Sequence, residues 1–544
     1  MAASSNLDNL GVQPIRVPDF ALGINTATPP TEIQNNEVQD LLNFEFDNNG
    51  NISTRRGVTE LLSTTFGRIT SLHYFTVDSG EVGVLLTEGT TLRIVETDGT
   101  GLTTLSGALT LPNNTFWQWV TFNGIAIGVN KATSGTNPVK VTAAAAASAL
   151  GGSPPFGKYI EVWENRVWIA NAASGSLSQL RGSALGNPED WTTTGAAGTC
   201  TFEIDTNDGD QITGLFATRD ALYVFKRRSI HRLVPIALPI TDPANLKREV
   251  VTRRIGCASP YSIQQVVDDV LFLSEQGIAS LSLVVTAENF KTAFYSRNVS
   301  QLERFPKTNE EIPAFLFDTA AQYWLSLPAA LSPTTKPTAY VMDYLRVNDG
   351  FVRWTRFDGL VAGTAYTAFY DASSKVYLIG ADSTGSGSYK IFKYRPRDTS
   401  TTFSDNGAAY TKAIAMKSFN GDSQLTRKAW RNWALGVNLL TASAQFTVAY
   451  YYDQNILRTD SYSFNLSGTQ TGALWAGGLW GAGLWGTTFS GVRDIERDMK
   501  SNAIGRESQD VTFNVSNSQN SEGFVLQDFT LWYTPLNERR VSDI

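Results

Sequence analysis

Along the middle of the chain one short pattern recurs: an aromatic residue between apolar neighbours. It appears as Val167-Trp168-Ile169, Leu222-Tyr223-Val224, Leu271-Phe272-Leu273, Tyr323-Trp324-Leu325 and Val376-Tyr377-Leu378. The central aromatics lie 55, 49, 52 and 53 residues apart. A polar turn precedes each triplet ("WENR", "ATRDA", "VDDV", "DTAAQ", "DASSK"), and a further short strand pattern precedes each turn. Side chains on a strand alternate faces, so the triplet puts apolar groups on both. Such a strand belongs in a sheet packed between two other layers. "FLFDTAAQYWLSL" and "AFYDASSKVYLIG" align without a gap, and weaker copies stand near Leu85 and Ala126. Repeated units of ~40–55 residues, each with three or four antiparallel strands, predict an all-β fold. The expectation is a β-propeller of about seven blades (six to eight) over 61–398, behind an N-terminal arm and lead-in at 1–60.

Beyond "YRPRD" the register changes. "AIAMKSF", "QFTVAYYYD", "TDSYSFNL", "DVTFNVS" and "FVLQDFTLWYTP" alternate over longer runs. They predict a C-terminal β-sandwich-like domain over 399–544, with a Gly/Trp-rich insertion at 467–500. "LTRKAWRNW" (425–433) and "GVRDIERDMK" (491–500) are the helix candidates. Within the insertion, "GALWAGGLWGAGLWG" carries Trp475, Trp480 and Trp485 at five-residue spacing. That spacing fits one face of neither a strand nor a helix, and glycine weakens both. The segment reads as an irregular loop with three anchors. These pack on the chain's own domain, on a neighbouring subunit or tail tip, or on a membrane; subunit or tail contact is the expectation, since interface anchors are often aromatic.

Composition narrows the picture. Charged residues make up 17% of the 544, below the ~25% usual in soluble domains. The formal charge of −7 disfavours a protein that grips DNA by its phosphates. Two cysteines, Cys200 and Cys257, exclude a disulfide scaffold and a cysteine-rich zinc site; two thiols or a single bridge remain. The start lacks a basic-then-apolar signal pattern, and no run approaches ~20 apolar residues. Folding in a cytoplasm is the expectation.

The search for chemistry is mostly negative. His73 and His231 lie in strand patterns and cannot form a multi-histidine metal site. "GSPPFGKY" (152–159) begins like a phosphate loop, but Tyr159 replaces Ser or Thr, and Pro154 and Pro155 remove amides. "DNNGNISTRRG" (47–57) has Ile52 where a calcium loop needs glycine, so it reads as a hairpin turn. "EIDTNDGDQ" (203–211) offers Glu203, Asp205, Asp208 and Asp210 as a solvated acidic loop or a calcium loop. No catalytic residue, cofactor site or metal site is assigned, and the expectation is a non-enzyme.

Several segments resemble a known family. They are "NNEVQDLLNFEFDNNGNISTRRG" (35–57), "GSALGNPEDW" (182–191), "GLFATRDALYVFKRRSIHRL" (214–233), "RRIGCASPYSIQQVVDDVLFLSEQGIASL" (253–281) and "LWGAGLWG". Together they resemble the tail nozzle, or tail hub, proteins of short-tailed bacteriophages (podoviruses), also described as packaged-DNA stabilisation or tail tubular protein B-like. The resemblance implies a structural virion protein of the tail, assembled in the host cytoplasm. Six copies would form a ring that closes the DNA channel below the portal and conducts the genome during ejection. Its implied partners are further copies, a head-to-tail adaptor, tail fibre, spike or needle proteins, passing double-stranded DNA without specific binding, and the host envelope at the distal end. On this reading Glu203, Asp205, Asp208 and Asp210 face the lumen, where acids repel phosphate. Lys226, Arg227, Arg228, Arg427, Lys428 and Arg431 pair with acids on a neighbouring subunit or form a solvated face. The alternative is a glycan-binding or glycan-cleaving propeller protein, tailspike-like or lectin-like, that uses aromatic and carboxylate side chains. A scaffold for host proteins is a third reading.

Overall fold

The computed structural model describes residues 11–47, 50–105, 109–131, 137–172, 176–237, 242–286, 294–304, 311–328, 337–345, 352–371, 374–385, 387–396, 402–421, 426–455, 457, 459–467, 492–498 and 507–536. The chain divides into two compact units. One comprises Thr59–Ala339 and Leu360–Arg395; the other comprises Met1–Val58, Tyr340–Gly359 and Pro396–Ile544.

The first unit is a succession of small antiparallel sheets. The first sheet holds Ile69–Val77, Gly80–Glu88, Thr91–Val95 and Leu102–Thr104. The second holds Trp117–Phe122, Ile125–Asn130, Val139–Thr142 and Ala147–Ala149. Tyr159–Trp163, Arg166–Ala172, Ser176–Gly182 and Cys200–Glu203 make the third, and Ile212–Ala217, Leu222–Lys226, Ile230–Pro235 and Leu246–Thr252 the fourth. The fifth has Gln264–Val266, Asp269–Ser274 and Gly277–Ser280, and Ala314–Phe317 then pairs with Gln322–Pro328. In the last sheet, Ala365–Tyr370, Lys375–Asp382 and Tyr389–Tyr394 are joined by Thr59–Glu60 from the far end of the unit.

Alternation along each second strand explains the stacking. Val167 and Ile169 pack toward the second sheet with Ile127 and Val129. Trp168, between them, turns to the other face and packs with Leu222, Val224 and Leu233 of the fourth. Likewise Phe225 leaves the face of Val224 and meets Phe272 of the fifth sheet. Val84 and Leu86 join Val376 and Leu378 of the last sheet, while Leu85 joins Trp117 and Val141 of the second. Each aromatic of the repeat therefore fills one layer and its apolar neighbours the next.

The propeller expectation is corrected at this point. Four of the five copies of the repeat, those at Trp168, Tyr223, Phe272 and Tyr377, lie in separate sheets of three or four strands, and no sheet is closed or curled into a barrel or a propeller. Two-sided burial requires a neighbour on each face. Face-to-face stacking meets that requirement without any single sheet having to curl or close.

In the second unit two sheets face each other. One contains Lys428–Leu439 and Phe524–Pro535, with Gln13–Val17 and Ile52–Thr54 on the latter. The other contains Glu37–Leu42, Lys412–Phe419, Val511–Asn517, Ser443–Tyr452 and Thr459–Ser467. Rings interlock between them: Phe529 lies 4.9 Å from Phe513 and 5.7 Å from Phe419, and Phe524 lies 4.5 Å from Phe446. Both helix candidates are strands, Lys428–Leu439 and Val492–Asp498, paired from Asn432↔Asp498 to Asn438↔Val492. Cross-strand pairing and burial of Trp430 and Trp433 override the helix propensity of their Arg, Lys and Ala neighbours. Among the described residues no helix is long and apolar enough to cross a membrane.

Candidate functional site

Five stretches of the first unit converge on one cleft of about 230 Å³. They are 70–73, 116–119, 260–264, 313–315 and 364–366, each at or just before the first strand of its sheet or strand pair. Thr70, Ser71, Phe116 and Trp117 are buried backing. His73, Gln118, Trp119, Tyr261, Gln264 and Phe315 are partly accessible. The described lining contains no Asp, Glu, Lys or Arg.

The aromatic wall is preformed. Trp117 and Trp119 share one face of their strand, two residues apart, with ring centroids 5.6 Å apart and planes at 18°. His73 continues the stack, 6.4 Å from Trp119 at 21°. Trp119 Nε1 donates to Ser71 Oγ at 3.1 Å, and Ser71 Oγ meets Thr87 Oγ1 at 2.7 Å. Across the strand pair, Trp119 faces Gly128. A Cβ at Gly128 would stand 2.6 Å from the indole, so glycine provides the bed on which this ring lies. His73 Nε2 lies 3.0 Å from Thr121 Oγ1. A second pair of parallel rings, Phe315 and Tyr366, has centroids 5.9 Å apart.

Two carboxamides are oriented by backbone. Gln118 Oε1 accepts from the Ile160 amide at 3.3 Å, and Gln264 Nε2 donates to the Ala314 carbonyl at 3.2 Å. Neutral amides, hydroxyls and aromatic faces suit an uncharged ligand with both C–H and O–H surfaces. The described lining offers no pair of carboxylates for glycoside cleavage.

The acidic loop 203–210 folds around a cation from its own chain. Lys226 Nζ reaches Asp208 Oδ1 and Oδ2 at 2.8 Å, the Asp205 carbonyl at 2.8 Å and the Asp210 carbonyl at 3.2 Å. The ammonium thus occupies the centre that a calcium ion would need. Asp205 pairs with Arg248 at 2.6 Å and Arg253 at 2.8 Å. Burial pushes its carboxyl up, but the Arg248 hydrogen bond and the charges of Arg248, Arg253 and His231 bring it below the usual range. Asp210 accepts from the Arg228 amide, and Glu203 accepts from Gln179. Arg227 pairs with Glu275 at 2.6 Å. Lys428 is buried and donates to the Gln509 carbonyl, whereas Arg228, Arg427 and Arg431 are exposed. Cys200 and Cys257 are buried thiols and form no disulfide. Trp475, Trp480 and Trp485 lie outside the described residues.

Burial shifts the titration of His73, His231 and Glu161 in the first unit. It pulls His73 down to about 4, and His231 to about 4 against the opposing charge of Asp205. It pushes the Glu161 carboxyl up to about 7, offset in part by the amides of Val162 and Ala217. The signs differ. Each histidine, its folded value below the ordinary 6.5, contributes stability in full above pH 6.5 that is lost as pH falls toward 4. Glu161, its folded value above the ordinary 4.5, contributes stability in full below pH 4.5 that is lost as pH rises through 7. Glu161→Gln is therefore expected to raise stability by about 1–3 kcal/mol at pH 8 and to change little at pH 4. Urea unfolding at the two pH values checks this; an equal effect at both would refute it.

No protein-family model matches the chain, and no curated protein matches it. Solved structures similar to it include three named here. PorZ, a bacterial surface component of the type-IX secretion system of Porphyromonas gingivalis, is 10% identical at a TM-score of 0.34, over 69% of this chain and 44% of PorZ. The alignment therefore spans less than half of PorZ. The Pan2 WD40 domain of Neurospora crassa is 8% identical at 0.35, over 64% of this chain and 97% of that one. An auxiliary nutrient binding protein of Bacteroides thetaiotaomicron is 11% identical at 0.33, over 66% and 76%. Likeness at this level carries no function across.

The tail-nozzle expectation is corrected. The similar structures include bacterial surface, nutrient-binding and exported proteins, with no tail component among those named. With it go the hexameric DNA channel, the adaptor, fibre, spike, needle, DNA and envelope partners, and the virion location. The physical reason lies in the motifs themselves, whose residues serve folding. In 35–57, Arg55 pairs with Asp405, and a Cβ at Gly57 would strike the Ser404 carbonyl at 1.9 Å. In 253–281, Gly256 abuts the Lys226 carbonyl, Cys257 is buried, and Gly277 sits at φ +133 in a hairpin. Close packing within the fold, local at Gly277 and between distant segments at Arg55 and Gly57, imposes such residues whatever the protein does.

Proposed function

We propose that the chain is a binding protein for a small neutral carbohydrate, taken up in the cleft and not cleaved there. The supporting observation is the described lining: parallel aromatic rings and backbone-oriented carboxamides, with no ionised side chain among the described residues. Aromatic faces accept the C–H face of a pyranose, and amides and hydroxyls take its O–H groups. The neutral state of His73 near pH 7 keeps the wall uncharged. The volume lies below the ~300–1,000 Å³ of drug-sized sites, which suits one sugar unit rather than an extended chain.

Calorimetric titration with neutral monosaccharides tests the reading. Trp119→Ala is expected to weaken binding about 10- to 100-fold, the loss of one aromatic platform, and to lower the unfolding midpoint as well, so binding is measured well below that midpoint. If no neutral monosaccharide bound at millimolar concentration, or Trp119→Ala bound as tightly as the parent, the proposal would be wrong.

A further inference from the structure

We infer that the cleft reads an acetamido group, so that its preferred ligand is an N-acetylated hexosamine; this rests on the carbohydrate reading above. The two carboxamides carry the argument. The Ile160 amide is a donor, so Gln118 must turn its oxygen to it, and the Nε2 donors are left for the cleft. The Ala314 carbonyl is an acceptor, so Gln264 must turn its nitrogen to it, and Oε1 is left. The cleft therefore presents one fixed donor and one fixed acceptor from two different sheets, within about 230 Å³. A hydroxyl combines both roles on a single atom. A secondary amide separates them, an acceptor oxygen and a donor N–H pointing in opposite directions within one plane. Its oxygen takes the Gln118 donor and its N–H meets the Gln264 acceptor. The methyl group finds an apolar seat on the parallel Phe315 and Tyr366 rings.

The test titrates the unmodified chain with N-acetylglucosamine, glucosamine and glucose, then repeats it with Gln118→Leu and Gln264→Leu. N-acetylglucosamine is expected to bind about tenfold or more tighter than the other two, because either would leave a positioned amide unmatched. Each leucine variant is expected to weaken both sugars and to bring that ratio near one, N-acetylglucosamine losing the more affinity. The comparison on the parent alone decides the matter should a variant fold poorly. Glucose and N-acetylglucosamine binding equally well, with Trp119→Ala abolishing both, would overturn this inference and leave the carbohydrate reading standing. Binding of none of the three sugars would overturn both.

Discussion

Replacing Arg55 by methionine is expected to cost about 3–5 kcal/mol, the range for breaking a buried ion pair from one side. Arg55 is fully buried, and all five of its N–H donors are used. Two go to the Asp405 carboxylate at 2.8 Å each, one to Asn43 Oδ1 at 2.8 Å, one to the Arg56 carbonyl at 2.9 Å and one to the Asp358 carbonyl at 3.0 Å. The guanidinium carbon stands 3.8 Å from the centre of the Tyr410 ring. These partners come from all three stretches that build the second unit, so one side chain ties its segments together. Methionine matches the stem but leaves Asp405 charged and buried among unmatched carbonyls. Lysine keeps the charge without the planar fork, and Arg55→Lys is expected to lose roughly half as much. Urea unfolding, with Asp405→Leu and the double variant completing a cycle, measures it. A single-variant loss under about 1 kcal/mol would show that the network has no such weight.

How much of this was legible in the sequence differs by element. The triplets announced strands buried on both faces, because that property belongs to consecutive residues: Val167, Trp168 and Ile169 need no knowledge of distant chain. The hairpin turn within 47–57 was legible for the same reason, and there Asp47 accepts from the Asn51 amide and side chain. The architecture was not, since nothing local states how a sheet bends. Strands in the 425–433 and 491–500 segments were hidden because their partners lie up to about a hundred residues away and outweigh local propensity. The cleft was hidden for a related reason. Its residues come from five stretches spread across nearly three hundred residues, and none forms a motif by itself. His73 read only as a strand histidine, which it also is. One local signal was present: "WQW" at 117–119 mounts two rings on one strand face, and a glycine at 128 follows within hairpin distance. The acidic loop holds a pairing that its composition did not reveal. Its oxygens do surround a cation, but that cation is Lys226, and composition cannot distinguish a tethered ammonium from a metal.

That tethered ammonium carries the second large expectation. Lys226→Met should cost about 2–4 kcal/mol, less than Arg55→Met because the two carboxylates differ in exposure. Asp208 is 25% exposed on its side chain and regains water when its partner goes, whereas Asp405 is 6% exposed and regains little. The backbone terms do not recover so easily. The Asp205 and Asp210 carbonyls converge on Lys226 Nζ, and the loop between them has no comparable centre once the charge is removed. Asp205 itself stays anchored by Arg248 and Arg253, so the sheets on either side keep their shape. The expected result is therefore local: a lower unfolding midpoint together with new protease cleavage inside 206–209, before the bulk of the β signal is lost. Asp208→Asn should reproduce part of the loss, and coupling in the double variant should exceed about 1 kcal/mol. Cleavage no faster than in the parent, with an unchanged midpoint, would mean that the loop holds its form through its own turns and that the ammonium is only a guest in it.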